Sequence, residues 1–258
     1  MVVKNALVPE QRVPDRRVRD SGSGDETLSG PDAADPSLVD TRHGPARLIR
    51  SPAQAAWATL VLGHGAGGGA QARELGWLAM DLPPVGVSVI RVEQPWRVAG
   101  RKVASRSEVL DQSWLDALSQ IAGTSSPLVV GGRSSGARVA CRTATPTGAV
   151  ACLALAFPLR PPWRPETSRI AELQGSGVPT LVVQGDRDAF GSATAFPELP
   201  GSIRIVSVVG ADHVFSLQQG SARTAALVRA DLVGCILSWL REMIPRAAGR
   251  SQSNSWPG

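Results

Sequence analysis

Only three cysteines, Cys141, Cys152 and Cys235, occur in 258 residues. Their number is odd and no two are spaced as CxxC, so neither a disulfide framework nor a zinc site is expected. That usage fits a reducing, cytoplasmic compartment. Histidine is as scarce. His43, His64 and His213 give little material for a histidine-rich metal centre, and no metal or cofactor is expected. Long apolar runs are missing as well. The longest, "AVACLALAF" (149–157), is well short of the ~18 residues of a spanning helix. The N-terminal "MVVKNALVPEQRVPDRRVRD" mixes acids with bases and has no continuous apolar core, unlike a secretory signal. No membrane partner is expected. A Lys/Arg block is also absent. Net charge is +5, but residues 1–40 hold 5 Lys+Arg against 8 Asp+Glu, a net of −3, which leaves +8 on the remainder. The arginines are scattered and not interleaved with aromatics. They read as a solvated surface, not as a nucleic-acid site.

What is present suits a soluble globular domain: 43% hydrophobic and 19% charged residues. The length allows one sizeable core. Residues 1–40, rich in Pro, Gly, Ser and Asp, read as a disordered tail or an artefact of the assigned start. Residues 247–258 read as a frayed end, which leaves a domain over 41–246. Short apolar runs punctuate it: "ATLVL" (58–62), "VSVIRV" (87–92), "PLVV" (127–130), "AVACLALA" (149–156), "TLVVQ" (180–184) and "IRIVSVV" (203–209). Near-continuous apolar runs suit strands covered on both faces. "PARLIRS" (45–51) adds a candidate antiparallel edge strand.

Helical patterns fall between the strands. "SEVLDQSWLDALSQI" places Leu110, Trp114, Leu118 and Ile121 on one face. "TAALVRADLVGCILSWLREM" aligns Val228, Leu232, Cys235, Ile236, Trp239, Leu240 and Met243 in one stripe. This alternation predicts an open, doubly wound, mostly parallel α/β sheet flanked by helices. Ligands in such sheets bind beyond the carboxyl ends of the strands. The chemically suggestive motifs all lie in the loops there.

"GGRSSGA" (131–137) follows the strand "PLVV" and leads into a helix. G-x-S-x-G fits in one frame only, Gly132-Arg133-Ser134-Ser135-Gly136. A serine at the tip of a tight strand–turn–helix needs a strained backbone. The residues two before and two after it come too close for any but small side chains. Ser134 is therefore the candidate nucleophile. The following helix aims its N-terminal N–H groups at developing negative charge.

A nucleophilic hydroxyl needs a base, and the base an orienting acid. "GADHVF" (210–215) carries His213, and "QGDRDAFG" (184–191) carries Asp186 and Asp188. Asp188 is favoured as the acid over Asp186, whose alternative is a turn bond to its own backbone. Asp212 adjoins His213 too closely to reach its ring and reads as a turn residue. His64 is the competing base, but it sits in "GHGAGGG" (63–69), where it is expected to brace the loop. That loop suits oxyanion donors. The candidates are the backbone N–H groups of Ala66 and Ser135. It lacks the Lys-Ser/Thr ending of a P-loop and the spacing of a dinucleotide site.

Together, "LGHGAGGG", "GGRSSGARVA", "ALAFPLRPPWRPETSR", "VPTLVVQGDRDAFG" and "GADHVF" resemble, in that order, the α/β-hydrolase superfamily. More narrowly, they look like the small lidless bacterial hydrolases related to the hydrolase-like domain of the chromatin NSL complex subunit. The resemblance spans roughly residues 45–245. It implies an eight-stranded, mostly parallel sheet with Ser134, Asp188 and His213 as the triad.

The segment between "ALAF" and "TLVV" is too short for a lid domain, so an exposed cleft is expected. Trp96 and Arg97, with Arg101 and Lys102, follow a strand end and are candidates to line it. Trp163, with Arg164, approaches from the other side. The leading expectation is a serine hydrolase of the carboxylesterase kind acting on a small ester or thioester. Two alternatives stay open: a non-catalytic interaction module on the same fold, and an acyltransferase using the same site. Sequence leaves the oligomeric state open.

Overall fold

Runs of Val, Leu, Ile and Ala this short bury best as strands covered on both faces. They do so in the computed structural model of the protein, which describes residues 34–121 and 126–245. The strands are β1 Ala34–Val39, β2 Ala46–Ser51, β3 Ala58–Gly63, β4 Val87–Glu93, β5 Leu128–Arg133, β6 Ala151–Leu155, β7 Thr180–Gly185 and β8 Ile203–Val208. They form one sheet in the order β1-β2-β4-β3-β5-β6-β7-β8. The pairings β1/β2 and β2/β4 are antiparallel, and all others are parallel.

One boundary is corrected. Residues 34–39, expected in the disordered tail, form β1. Ser37, Leu38 and Val39 pair with Leu48, Arg47 and Ala46, and Arg50 bonds the Ser37 hydroxyl. The ladder is irregular between Ala34 and Ser37, where Pro36 has no N–H to donate. β1 thus covers the outer side of β2, whose backbone groups would otherwise lie bare. "PARLIRS" is accordingly the second strand and not the edge. The rest of the expected tail, residues 1–33, and the expected frayed end, 247–258, lie outside the described residues.

The helices are α1 Arg73–Asp81, α2 Pro95–Val98, α3 Ser107–Ser119, α4 Ser135–Thr143, α5 Ile170–Gln174 and α6 Ala225–Met243. Alternation along the strands divides the core in two. Leu60, Leu62, Leu153 and Val183 face α1 and α6, whose Val228, Leu232, Ile236 and Trp239 are buried as the stripe predicts. Val61, Val130 and Val182 face the other way. They pack with Leu110 and Trp114 of α3 and with Ala137 and Ala140 of α4. Leu118 and Ile121 pack there half-buried.

Ion pairs tie α4 to its neighbours. Arg142 reaches Asp111 of α3 (2.6 Å) and Glu172 of α5 (2.7 Å), and Arg138 also holds Glu172 (2.5 Å). Burial works to raise the Glu172 carboxyl, but the two guanidinium groups outweigh it and hold it below the ordinary value.

Two features position the site. The chain runs from β3 to β4 on one side and then returns to place β5 on the other. The carboxyl ends of β3 and β5 therefore open a crevice. Between β6 and β7, the only helix is the short α5, so that segment supplies no lid domain over the crevice. No helix among the described residues is long and apolar enough to cross a membrane.

Candidate active site

Ser134 stands at the joint between β5 and α4 with φ 52° and ψ −113°. A non-glycine residue there is strained by about 1–3 kcal/mol. The surroundings enforce it. A Cβ at Gly132 would lie 2.6 Å from the Gly63 oxygen, and one at Gly136 only 2.3 Å from it. Both glycines are thus demanded by the same neighbour, the end of β3. The Ser134 N–H donates to Leu155 O (2.9 Å), and its carbonyl accepts from Arg138 N (3.2 Å). The elbow is held on both sides, and the side chain stays partly open to solvent.

His213, in the loop after β8, brings Nε2 to 3.0 Å from Ser134 Oγ and Nδ1 to 2.8 Å from Asp188 Oδ2. An ionised carboxylate only accepts, so the proton is assigned to Nδ1. Nε2 is then free to accept from the serine hydroxyl. Asp188 is 5% exposed. Its Oδ1 accepts from Phe190 N (2.8 Å), and its Oδ2 also accepts from Gln184 Nε2 (2.8 Å). Such a line can pass a proton from Oγ to the ring while the carboxylate offsets the ring's charge.

The rival residues are occupied elsewhere. Asp186 accepts from Gly210 N (2.8 Å), bracing the loop after β8 and not its own turn. Asp212 accepts from Val214 N (2.9 Å) and Ser216 N (2.8 Å), as a turn residue does. His64 is buried. Its Nδ1–H donates to Gly65 O (2.8 Å), and its Nε2 accepts from Gln94 N (3.1 Å). Both ring nitrogens are used, which requires a neutral ring, and burial accordingly pulls its pKa down.

Ala66 and Ser135 come together. Both border a cavity of about 10 Å³ beside the elbow, which Gly65 and Gly136 also line. Ser135 opens α4, so its N–H lacks an intrahelical acceptor. Among the described residues, neither the Ala66 nor the Ser135 N–H has a hydrogen-bond partner. Trp96 is 2% exposed and walls the same cavity, its ring 5.5 Å from that of His64. It is a buried wall and not an open cleft surface. Arg97 is exposed and runs beside Gly69 in the glycine loop. Trp163 is exposed on the histidine side, edge-on to Phe190.

Three residues that sequence reading passed over hold this arrangement. Arg133, inside the elbow motif, is buried. Its Nε lies 3.0 Å from Glu74 Oε1 of α1, and its Nη2 donates to the His213 carbonyl (3.2 Å). Gln184 is fully buried and joins Asp188 to Gly191 O (2.6 Å). Phe190 lies 4.2 Å from the His213 ring, tilted by 30°. A glutamine ending the apolar run "TLVVQ" is the one signal that stood out locally, because a buried amide needs partners. Arg133 and Phe190 carry no such signal.

Residues 56–240 match the family described as an alpha/beta hydrolase domain. No curated protein matches the sequence. Among solved structures, the chain is similar to a lidless α/β serine hydrolase from Xanthomonas campestris, at 19% identity and a TM-score of 0.64. That match covers 85% of this chain and 98% of the other. An α/β serine hydrolase homologue from Coxiella burnetii matches at 17% identity and TM-score 0.61, over 81% and 100% of the two chains. A dienelactone hydrolase from Anabaena variabilis matches at 17% identity and TM-score 0.60, over 81% and 99%.

Proposed function

This protein belongs to the alpha/beta hydrolase domain family, and from that premise we propose that it is a serine hydrolase cleaving a small ester or thioester. The observation that carries the reading is the unbroken line Ser134 Oγ, His213 Nε2 (3.0 Å), His213 Nδ1, Asp188 Oδ2 (2.8 Å). In the proposed reaction, Ser134 Oγ attacks the acyl carbon as His213 takes its proton. The unpartnered N–H groups of Ala66 and Ser135 receive the oxyanion. One such donor is worth about 2.7–4 kcal/mol in transition-state stabilisation. His213 then protonates the leaving group, and water releases the acyl group by the same steps. The N-terminus of α4 favours the developing charge. Arg97 and Trp163 bound the open rim, and Trp96 closes the glycine-loop side. The absence of a lid domain among the described residues favours small soluble substrates.

The reading is tested by labelling with a fluorophosphonate probe and by hydrolysis of short-chain esters. Ser134→Ala should abolish both. Ser135→Ala should keep much of each, because its part is played by the backbone N–H. Equal labelling of Ser134→Ala and wild type would overturn the assignment. An unlabelled, inert protein that copurifies with one partner would favour an interaction module instead.

A further inference from the structure

We propose that the leaving group accepted by this site is an aryl-bearing alcohol or thiol, held on a surface made by Phe190 and Trp163. The inference rests on the hydrolase reading above. The leaving-group atom must come within hydrogen-bond reach of His213 Nε2 to be protonated. A substituent on that atom therefore leaves past the imidazole ring. The neighbour of that ring is Phe190, with centroids 4.2 Å apart. Trp163 meets Phe190 edge-on at 5.6 Å and 87°, and it is 71% exposed. A lone exposed tryptophan would need no explanation. This one ends a continuous aromatic surface that starts at the proposed general base.

The surface is built and not trailing. Phe190 N–H is fixed on Asp188 Oδ1 (2.8 Å), and Phe190 O accepts from Arg160 N (2.9 Å), which joins its loop to the segment bearing Trp163. That segment closes its own turn through Arg164 N to Pro161 O (2.9 Å). Aromatic groups pair best edge-to-face or offset, and an exposed indole at the end of a fixed pair offers such a partner to an incoming ring.

The experiment compares kcat/KM for benzyl acetate and cyclohexylmethyl acetate, which share an acyl group and differ in the flatness of the alcohol. Wild type should prefer benzyl acetate by about two- to tenfold. Trp163→Ala should bring the ratio near one, and Trp163→Phe should retain most of it. A wild-type ratio near one, or a ratio that survives Trp163→Ala, overturns the proposal. So does a preference confined to methyl phenylacetate over methyl cyclohexylacetate, which would put the ring on the acyl side. Failure of the hydrolase reading looks different: no turnover of any ester and no Ser134-dependent labelling. In that case saturation-transfer NMR decides on the aromatic surface. Transfer to benzyl alcohol but not cyclohexylmethanol, lost in Trp163→Ala, supports it, and equal transfer to both sinks it.

Discussion

At the scale of single residues, the candidate site depends on side chains with no chemistry of their own. Arg133 is the clearest case. It joins the elbow to α1 through Glu74 and to the histidine loop through the His213 carbonyl. A guanidinium reaches the two acceptors from separate nitrogens, whereas an ammonium has a single nitrogen to place. Arg133→Lys keeps the charge opposite Glu74 but should lose the bond to His213. We expect kcat to fall by about tenfold or more with a smaller change in KM, since small misplacements of a reacting group are costly. Arg133→Leu should cost about 3–5 kcal/mol of stability, because it strands the buried Glu74 carboxylate. Steady-state kinetics and urea unfolding check the two expectations. An unchanged kcat in Arg133→Lys would remove the positioning role.

At the scale of elements, α4 carries the serine at one end and is clamped at its outer face by Arg138 and Arg142. Glu172 is the shared partner of both. Its carboxyl titrates lower in the folded protein than its ordinary 4.5. The folded state therefore binds fewer protons than the unfolded state as the pH falls through this range. The stabilisation is fully present above 4.5 and is lost as pH drops towards the lower folded value. Urea midpoints measured on either side of that window should fall further for wild type than for Glu172→Gln. Equal falls would mean the clamp adds nothing to stability. This network was hard to read locally, because its members come from three helices. The helices themselves were legible: the stripe on α6 and the Leu110–Trp114 face of α3 follow from periodicity alone. β1 was not, since a short strand with a proline is favoured only once β2 is there to pair with it.

At the scale of the whole molecule, no lid domain stands over the crevice among the described residues, because those between β6 and β7 form only α5 and connecting turns. With no such lid to lift, the rate should rise smoothly with ester concentration through the substrate's solubility limit. A sharp increase at the onset of an interface would contradict that and indicate a closing element elsewhere.

The sequence by itself determined the strand–helix alternation and the glycine frame around Ser134, and it offered a serine, an aspartate and a histidine in the order of the proposed triad. These depend on local quantities: periodicity, the room a glycine leaves, the turn a short motif can make. Only the tertiary structure put Asp188, and not Asp186, in hydrogen-bond contact with His213. The two lie on one loop with the same chemistry, and the choice depends on where His213, 25 positions beyond Asp188, comes to rest. It alone brought Arg133 to the carbonyl of a residue 80 positions away and Phe190 against the imidazole. Such contacts follow from the order of strands in the sheet, which sets the loops side by side. No segment encodes that neighbourhood alone, because packing of the whole sheet creates it.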